Sequence, residues 1–372
     1  MIQKIITHAD NYRGLDEWLG DKKRVFLVCD SSINFLEDFT KKLGGIKTPI
    51  VRFSAFQSNP LYESVVEGVE LFRKEKCDSI FAVGGGSALD VAKCIKLYSN
   101  LPGNGHDGVW LKAEVKPNSI PFLAMPTTAG TGSEATRYAV IYFNGVKQSV
   151  TSESFIPETV LMDPYSLKTL PLYQKKATMC DALCHAIESF WSVNSTDESK
   201  VYSRLAIIGV MEHMDGYLVN SEEGNAGMLR AANAAGKAIN ITQTTAGHAM
   251  CYKITSLFKM AHGHAAMLCD RVLFPWMIQN TDKCIDSRGE QYVKGIFCEI
   301  ANAMGCETVE QAANKLNDIF YHLGLDIPTA TAEQFEELKI SVNPIRLKNH
   351  PIALDAETID MLYRKILNGV GQ

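Results

Sequence analysis

The stretch "SIFAVGGGSALDVAKCIKLY" at residues 79–98 decides the fold, because it joins a strand pattern to a helical pattern through three glycines. The run before the glycines does not alternate polar and apolar side chains, which predicts a strand buried on both faces. The glycines permit a tight turn, and a strand that feeds a helix in this way is typical of a parallel sheet wound by crossovers. The stretch therefore predicts an α/β domain.

Three further apolar runs of the same kind occur in the first half of the chain. They are "RVFLVCD" at 24–30, "IPFLAMPTT" at 120–128 and "ETVLMDP" at 158–164, with helical patterns between them. From about residue 170 helical periodicity takes over, rich in Ala, Met and Leu, and no strand pattern is evident. We therefore predict an α/β domain at residues 1–166 and an all-α domain at residues 167–372.

Composition excludes several classes of function. The 372 residues are 46% apolar and 21% charged, which is typical of a folded protein, and the net charge of −5 comes without a basic cluster. Binding to nucleic acid or to a membrane surface therefore has no electrostatic support. The N-terminus lacks the apolar core of a signal peptide, and the ten cysteines are scattered without a C-x-x-C pair. These features predict a cytoplasmic protein with reduced thiols.

The glycine turn is a candidate phosphate site, because its amides and the following helix dipole suit an anion. Ser87 is the expected N-cap; the alternative is a tight turn without a ligand, since the spacing is not G-x-G-x-x-G. A second loop, "PTTAGTGSEAT" at 126–136, follows another strand, and convergence of the two loops at one sheet edge favours a pyrophosphate site. Asp30, which ends the first strand, could accept a ribose hydroxyl and repel a 2′-phosphate.

A second constellation has the composition of a metal site. Asp181 and His185 stand at i and i+4 in a helical stretch, so they share one face and could chelate an ion. The alternative for this pair is an Asp–His hydrogen bond on an exposed face. His248 and His262 are fourteen residues apart and are expected to flank a turn; the alternative is a polar loop between two helices. Together the four residues form a His₃Asp set that suits ferrous iron or zinc.

The motifs "GGGSALDVAK", "PTTAGTGSEAT", "VLMDP", "DALCHAIE" and "HAM…AHGHA", in this order, resemble those of the iron-containing (group III) alcohol dehydrogenases. The resemblance covers essentially the whole chain and implies a dinucleotide-binding first domain, a metal-binding and substrate-binding second domain, and a homodimer. It implies NAD(H) and Fe²⁺ as cofactors, with Zn²⁺ as the alternative. The residues that match the metal ligands are Asp181, His185, His248 and His262. The residues that match cofactor contacts are Gly84, Gly85, Gly86, Ser87, Asp90, Thr127, Thr128 and Lys147, and Asp30 matches the position linked with preference for NAD over NADP.

The chain departs from the family pattern beside the metal set. Where the family has a form such as "N-A-G-L-G-x-V-H-A-M-A-H-P", this chain reads "ITQTTAGHAMCYK", so that Tyr252 replaces a histidine and Lys253 a proline. We expect Tyr252 or His264 to supply the proton of the reaction. Lys253 and the Gln-Thr-Thr patch at 243–245 suit an anionic substrate better than a plain alcohol. The alternative for Lys253 is a solvated surface lysine.

Two stretches, "NITQTTAGHAMCYK" and "VNPIRLKN", are similar to the family branch tied to phosphonate metabolism, whose members resemble phosphonoacetaldehyde reductases. Arg346, Lys348 and Arg137 are candidate partners for the phosphonate; the alternative for each is an ordinary surface or interdomain charge. The resemblance thus predicts hydride transfer to a small metal-polarised aldehyde, giving 2-hydroxyethylphosphonate. The alternatives are a dehydrogenase for a neutral primary alcohol or diol, a dehydroquinate-synthase-like lyase and a non-catalytic scaffold. The intact metal set and both cofactor loops argue against a scaffold.

Overall fold

The computed structural model describes residues 3–114, 116–342 and 344–369, so Asn343 of the stretch at 342–349 lies outside the described residues. The chain forms two compact units, Met1–Leu170 with Asn220–Leu229, and Pro171–Val219 with Arg230–Gln372. The sequence predicted a single boundary between residues 166 and 167. Residues 220–229 return to the first unit, where the Asn225 side chain donates a hydrogen bond to the Pro164 carbonyl at 3.1 Å.

The first unit contains a parallel sheet of six strands among the described residues, in the order β1-β8-β5-β4-β2-β3, and a separate antiparallel hairpin of β6 and β7. The strands are β1 Lys4–Thr7, β2 Val25–Cys29, β3 Ile50–Phe53, β4 Ser79–Gly84, β5 Phe122–Pro126, β6 Tyr138–Phe143, β7 Val146–Thr151 and β8 Thr159–Met162. The α-helices are α1 Ala9–Leu19, α2 Glu37–Gly44, α3 Tyr62–Lys74 and α4 Gly86–Tyr98. Short 3₁₀ helices span Ser31–Phe35, His106–Lys112, Ser133–Ala135, Glu153–Phe155 and Pro164–Leu167.

The four strands predicted from the sequence are confirmed as β2, β4, β5 and β8, and all of their residues are buried. Alternate side chains of these strands enter two hydrophobic cores, one on each face of the sheet. Phe26, Ile80 and Phe122 belong to the core that includes α3 and α4. Leu27 and Phe81 belong to the core that includes α1 and α2. Two-sided burial explains why these runs show no polar alternation.

The second unit is built from helices. They are α5 Leu172–Trp191, α6 Asp197–Leu218, most of α7 Glu222–Thr242, α8 Ala246–Phe258, α9 His262–Gln279, α10 Glu290–Ala303, α11 Val309–His322, α12 Ala332–Ser341, α13 Pro344–Leu347 and α14 Ala356–Ile366, with a 3₁₀ turn at Thr281–Lys283. The prediction of an all-helical domain needs one correction, because β9 Thr329–Ala330 pairs in parallel with β10 Asn368–Gly369. Two-residue strands are too short to leave a periodic pattern. None of the described helices combines the length and the apolar character that a membrane span requires.

Candidate metal and cofactor sites

Three helices of the second unit supply the four predicted metal ligands. Asp181 and His185 lie one turn apart on α5, and both side chains are buried. His248 lies in the first turn of α8, and His262 is the first residue of α9. Between them the chain reverses through Lys259, whose φ of 51° is left-handed and ends α8. The predicted turn between the two histidines is therefore confirmed.

The imidazole Nε2 atoms of three histidines surround one carboxylate oxygen, Asp181 Oδ1. The distances are 3.9 Å from His185, 3.5 Å from His248 and 4.0 Å from His262. Asp181 Oδ1 and His248 Nε2 are buried without hydrogen-bond partners, which is unusual for polar atoms unless a ligand pairs them. Ligand atoms of Asp181, His248 and His262 all lie within 4.8 Å of one another. This arrangement fits a divalent cation that accepts nitrogen and oxygen ligands, and it does not fit an exposed Asp–His pair.

The charges around these ligands also favour a cation. Burial opposes ionisation of Asp181, but His185, His248 and His262 hold the pKa of that carboxyl well below its usual range. Burial likewise opposes a charge on His248, but the carboxylates of Glu188 and Asp181 raise the pKa of His248 to about 10. Two ionised carboxylates thus lie within the buried cluster.

Glu188 is a functional residue that the sequence reasoning missed. It follows His185 on the same face of α5, and its Oε1 accepts hydrogen bonds from the ring Nδ1 and from the backbone N of His248, the latter at 3.0 Å. Because Glu188 holds one proton at Nδ1, Nε2 is the nitrogen that becomes available to a cation when the ring gives up its second proton. The signal was present in "DALCHAIE", because positions 181, 185 and 188 share one helical face.

Glu188 also holds the start of the ligand helix α8. Its Oε2 accepts the backbone N of Thr245 at 2.6 Å and the Thr245 hydroxyl at 2.7 Å, and that hydroxyl accepts the Trp191 indole N–H at 2.8 Å. Thr245 is fully buried. The Thr245 hydroxyl is thus used to position α8, so a role of Thr245 in substrate binding remains a prediction that these contacts do not favour.

The close approach of α8 to Glu188 requires a glycine at position 247. A Cβ there would lie 1.8 Å from Asp270 Oδ1 and 2.8 Å from Glu188 Oε1. Asp270 is fully buried, and burial together with the Glu188 charge raises the pKa of its carboxyl well above the usual range. The neutral carboxyl of Asp270 thus lies beside the ionised carboxylate of Glu188.

Of the three residues predicted to act in catalysis, Tyr252 lies at the ligand set. Its ring stacks on the His262 imidazole, with ring centroids 5.4 Å apart and an interplanar angle of 18°. Burial raises the pKa of Tyr252 to about 12, so its hydroxyl keeps its proton at neutral pH. It is a hydrogen-bond donor at the edge of the metal ligands.

The other two predicted catalytic residues are engaged elsewhere. The His264 Nδ1 lies 3.1 Å from the Tyr173 hydroxyl, and its Nε2 lies 2.9 Å from the Asp326 carbonyl, so both ring nitrogens have structural partners. Lys253 forms an ion pair with Glu337. The catalytic roles of His264 and Lys253 remain predictions that these contacts do not favour.

The two predicted cofactor loops meet at the carboxyl ends of β4 and β5, as expected. The backbone N of Thr127 donates to the Gly84 carbonyl at 3.0 Å, and a Cβ on Gly85 would lie 3.3 Å from Thr128 Cγ2. Gly84 is confined too, because its Cβ would lie 2.7 Å from Asp30 Oδ2. Glycines at both positions let the loops and Asp30 pack closely together.

The helix after the glycine loop begins two residues earlier than an N-cap at Ser87 predicts. Gly85 is the N-cap of α4 and Gly86 its first residue, so Ser87 lies inside the first turn and is not the cap. A glycine takes the extended cap backbone readily, and it has no side chain to accept a hydrogen bond from the first-turn amides. This N-terminus suits a phosphate better than one capped by serine would.

Three other predicted cofactor residues occupy distinct positions in the first unit. Asp30 accepts hydrogen bonds from the backbone N of Ser32 at 2.8 Å and of Gly85 at 3.4 Å. Asp90 accepts the Ser133 hydroxyl at 2.8 Å and the Val140 backbone N at 2.9 Å, which fixes the second loop to β6. Lys147 is exposed on β7. Their contacts with a cofactor remain predictions.

Comparison with known proteins identifies the family. Residues 3–164 match the model for iron-containing alcohol dehydrogenase, and residues 175–366 match that for the C-terminal part of the Fe-containing alcohol dehydrogenase family. The chain belongs to the iron-containing alcohol dehydrogenases. It is therefore an oxidoreductase that acts on CH–OH groups, in a family that uses NAD, and the lyase alternative is not retained.

Individual relatives of this iron-containing alcohol dehydrogenase differ in their substrates. The NAD-dependent methanol dehydrogenase of Bacillus methanolicus is 31% identical over 68% of this chain and 67% of its own length. The phosphonoacetaldehyde reductase of Streptomyces viridochromogenes is 28% identical over 81% of this chain and 79% of its own. The sulfoacetaldehyde reductase of Bifidobacterium kashiwanohense, solved in complex with NAD⁺, is 25% identical with a TM-score of 0.85 and covers 98% of this chain and 96% of its own.

Proposed function

We propose that the protein catalyses the NADH-dependent reduction of a small anionic aldehyde, and that this substrate is phosphonoacetaldehyde, reduced to 2-hydroxyethylphosphonate. One observation carries the proposal. A half-buried arginine near the metal ligands, Arg346, has no ion-pair partner among the described residues. A buried or half-buried cation normally has an anionic partner, and an anionic substrate would provide one.

Arg346 lies on α13, where its Nη1 donates a hydrogen bond to Gln243 Oε1 at 3.3 Å. This acceptor is a neutral amide, so the contact orients the guanidinium without neutralising it. The positive charge of Arg346 also acts on Tyr252, where it opposes the rise in pKa that burial causes. Tyr252 in turn stacks on His262, so the phenol links the field of Arg346 to the ligand set.

The residues that hold Arg346 are themselves held in place. Gln243 follows α7 with a left-handed φ of 60°, which is uncommon for a residue other than glycine. Its Oε1 also accepts the Asn349 amide at 3.3 Å, and that amide donates to the Thr244 carbonyl at 3.1 Å. A backbone conformation of this kind persists only where the surroundings enforce it, and such positions cluster at functional sites.

The other cations predicted to bind the phosphonate are less suited to it. Lys253 is paired with Glu337, and Arg137 with Glu153 at 2.8 Å. Lys348 is exposed to solvent, where a charge contributes little to the binding of an anion. Arg346 therefore replaces Lys253 as our candidate for the residue that binds the anionic group.

The chain would hold the ion through Asp181, His185, His248 and His262, with Fe²⁺ proposed and Zn²⁺ as the alternative. When bound, the ion supplies Lewis acidity toward a carbonyl oxygen and NADH supplies the hydride. Glu188 keeps the proton of His248 at Nδ1 and so keeps Nε2 available as a ligand. Tyr252 holds a proton at its hydroxyl, which it can share with an oxygen at the ligand set.

The relatives support the same substrate class. Two of them are named for aldehydes that carry a phosphonate or a sulfonate, whereas the methanol dehydrogenase is named for a neutral alcohol. Sulfoacetaldehyde is a second candidate, because the sulfoacetaldehyde reductase matches nearly the whole chain. A neutral primary alcohol or diol remains the alternative, but it would leave the Arg346 charge without a function.

Steady-state kinetics of Arg346→Met with phosphonoacetaldehyde, sulfoacetaldehyde and propionaldehyde test the proposal. We expect KM for the two anionic aldehydes to rise by about 10-fold to 100-fold, as for the loss of a charge-assisted contact, with propionaldehyde changed less than about twofold. Lys348→Met, two residues along the chain, is the matched control and should leave all three values unchanged. An equal effect of Arg346→Met on charged and neutral aldehydes would contradict the proposal.

We also propose that the enzyme acts in the cytoplasm as a homodimer. All ten cysteines are free thiols in the structure, which supports a reducing compartment. The dimer rests on the family resemblance. Sedimentation equilibrium at micromolar concentration tests it, and a mass near 41.1 kDa would contradict it.

A further inference from the structure

We propose that Tyr173 and His264 are positioning residues for the metal ligand His262, through a chain of hydrogen bonds that fixes the start of α9. Neither residue belongs to the ligand set, and the sequence predicted a catalytic role for His264. The inference rests on the proposed ligand set and does not depend on the aldehyde or the dinucleotide. It gives a function to the third histidine of "HAM…AHGHA", which the proposed reaction does not use.

His262 is the ligand whose position depends most on its backbone. Its side chain is 36% exposed, whereas the side chains of the other three ligands are at most 8% exposed. It is also the first residue of α9, just after the left-handed turn at Lys259. The N-cap, Ala261, has no side chain that could accept a hydrogen bond from the helix amides. The His262 ring is therefore placed by whatever fixes the chain beside it.

The Tyr173 hydroxyl fixes this part of the chain to α5. It accepts the backbone N–H of Ala261 at 3.1 Å and lies 3.1 Å from Nδ1 of His264. Tyr173 lies in the first turn of α5, the helix that carries two of the four ligands. Gly263 permits a close approach of the same two helices, since a Cβ there would lie 2.0 Å from the Ala177 carbonyl oxygen. The first turn of α9 is thus joined to α5 by a hydrogen bond and by packing.

The positions of the protons in this chain of hydrogen bonds follow from its far end. Nε2 of His264 lies 2.9 Å from the carbonyl oxygen of Asp326, which can only accept, so Nε2 carries a proton. His264 is buried, and burial lowers its pKa, which favours a neutral ring with a lone pair at Nδ1. The Tyr173 hydroxyl therefore donates to Nδ1 while its oxygen accepts the Ala261 N–H. All three hydrogen bonds run in one direction, and each polarises the next.

Aromatic packing holds the His264 ring in place. Its centroid lies 6.0 Å from that of Phe320 on α11 and 5.9 Å from that of Tyr173, whose ring it meets at an interplanar angle of 76°. With both nitrogens hydrogen-bonded and two aromatic neighbours, the imidazole is a fixed anchor for the Tyr173 hydroxyl. Phenylalanine at position 173 would keep the ring contact and remove only the hydroxyl, which isolates the effect on His262.

Titration of the metal-free protein with Co²⁺, followed by visible absorbance, tests the inference. We expect Tyr173→Phe to raise the Co²⁺ Kd by about threefold to tenfold, the effect of one hydrogen bond lost beside a ligand. His264→Leu should raise the Kd as well, whereas His264→Asn keeps an acceptor as many bonds from the backbone as Nδ1 and should lose less. The control is Tyr202→Phe on α6, where the hydroxyl lies 3.5 Å from Glu198, and it should leave the Kd unchanged.

Two comparisons make the outcomes distinct. In a His264→Leu background, Tyr173→Phe should have a smaller effect than in the wild type, because residues of one hydrogen-bond chain do not act independently. His262→Ala should weaken Co²⁺ binding more than Tyr173→Phe does, and a wild-type Kd in His262→Ala would overturn the ligand set together with this inference. If His262→Ala is impaired but Tyr173→Phe binds Co²⁺ within about twofold of the wild type, the positioning role alone is overturned.

Discussion

Replacement of Glu188 by glutamine tests how the buried carboxylate positions the ligand histidine. Glu188 accepts four hydrogen bonds, two at each oxygen: from the Thr245 N and hydroxyl, and from the N and Nδ1 of His248. A glutamine amide group cannot accept hydrogen bonds at its nitrogen. Whichever way the side chain is turned, its NH₂ faces a buried backbone N–H that keeps no acceptor.

The expected loss follows from these contacts. A buried backbone donor left without an acceptor costs about 1–3 kcal/mol, and the remaining hydrogen bonds lose the assistance of the charge. If the NH₂ faces His248, the ring must carry its proton at Nε2, where it cannot bind a cation. We therefore expect Glu188→Gln to lower the free energy of unfolding by about 2–3 kcal/mol and to weaken metal binding by about 10-fold to 100-fold.

Two measurements separate the effects. Urea denaturation of metal-free protein gives the change in stability, and a Co²⁺ titration followed by visible absorbance gives the change in metal affinity. Glu310→Gln, on the exposed first turn of α11, is the control and should change neither. A folded Glu188→Gln protein that binds Co²⁺ within about twofold of the wild type would refute the positioning role, since second-layer partners of histidine ligands normally change affinity by tenfold or more.

Three further predictions concern packing, the anion ligand and pH. Gly247→Ala should lower the free energy of unfolding, measured in urea, by about 3 kcal/mol or more because its Cβ would overlap Asp270. The control is Gly295→Ala on α10, which has open space around its Cβ and should be neutral or slightly stabilising. Equal effects of the two substitutions would contradict the packing. Lys253→Met should change KM for phosphonoacetaldehyde by less than about threefold, because Glu337 already pairs with the lysine, and a tenfold rise would restore Lys253 as the anion ligand. Above about pH 9 the free energy of unfolding should fall, because buried thiols of the folded protein keep protons that the unfolded chain releases. The thiols with raised pKa are Cys29, Cys77, Cys94, Cys180, Cys184, Cys251 and Cys269. They outnumber the buried lysines with lowered pKa, which act in the opposite direction and are Lys93, Lys96 and Lys175. Urea titrations at pH 7.5 and 9.5 test this, and constant or rising stability would contradict it.

Strands buried on both faces could be predicted from the sequence, whereas strands at the edge of the sheet could not. Lys4 and Arg52 interrupt the apolar runs of β1 and β3, so neither edge strand resembles the central ones. The hairpin of β6 and β7 was also missed, although Asn144 and Gly145 form the turn signal typical of hairpins. Strand β6 reads YAVIYF and is apolar throughout, but its partner β7 reads VKQSVT and is largely exposed, so the pair lacks two matching apolar runs.

In the site, the residues that share one helix could be predicted from the sequence, whereas contacts between residues far apart in the chain could not. Asp181, His185 and Glu188 lie on one helical face, which the period of the helix already specifies. The partner of Lys253 is Glu337 and the partner of Arg346 is Gln243, and each pair joins residues far apart in the chain. Residue type alone made Lys253 the candidate anion ligand. Tertiary contacts decide which cation is already paired, and a single sequence does not specify them.

The ratio of kcat/KM for phosphonoacetaldehyde to that for propionaldehyde, measured as NADH oxidation by the metal-loaded wild-type protein, tests the central claim most directly. An arginine without an ion-pair partner among the described residues, when it binds the anionic group, predicts a ratio of about 10 to 100, the effect of one charge-assisted contact. The same protein stripped of metal should lose turnover of both aldehydes. A ratio near one, or preference for propionaldehyde, would contradict the claim that this iron-containing alcohol dehydrogenase is selective for an anionic substrate.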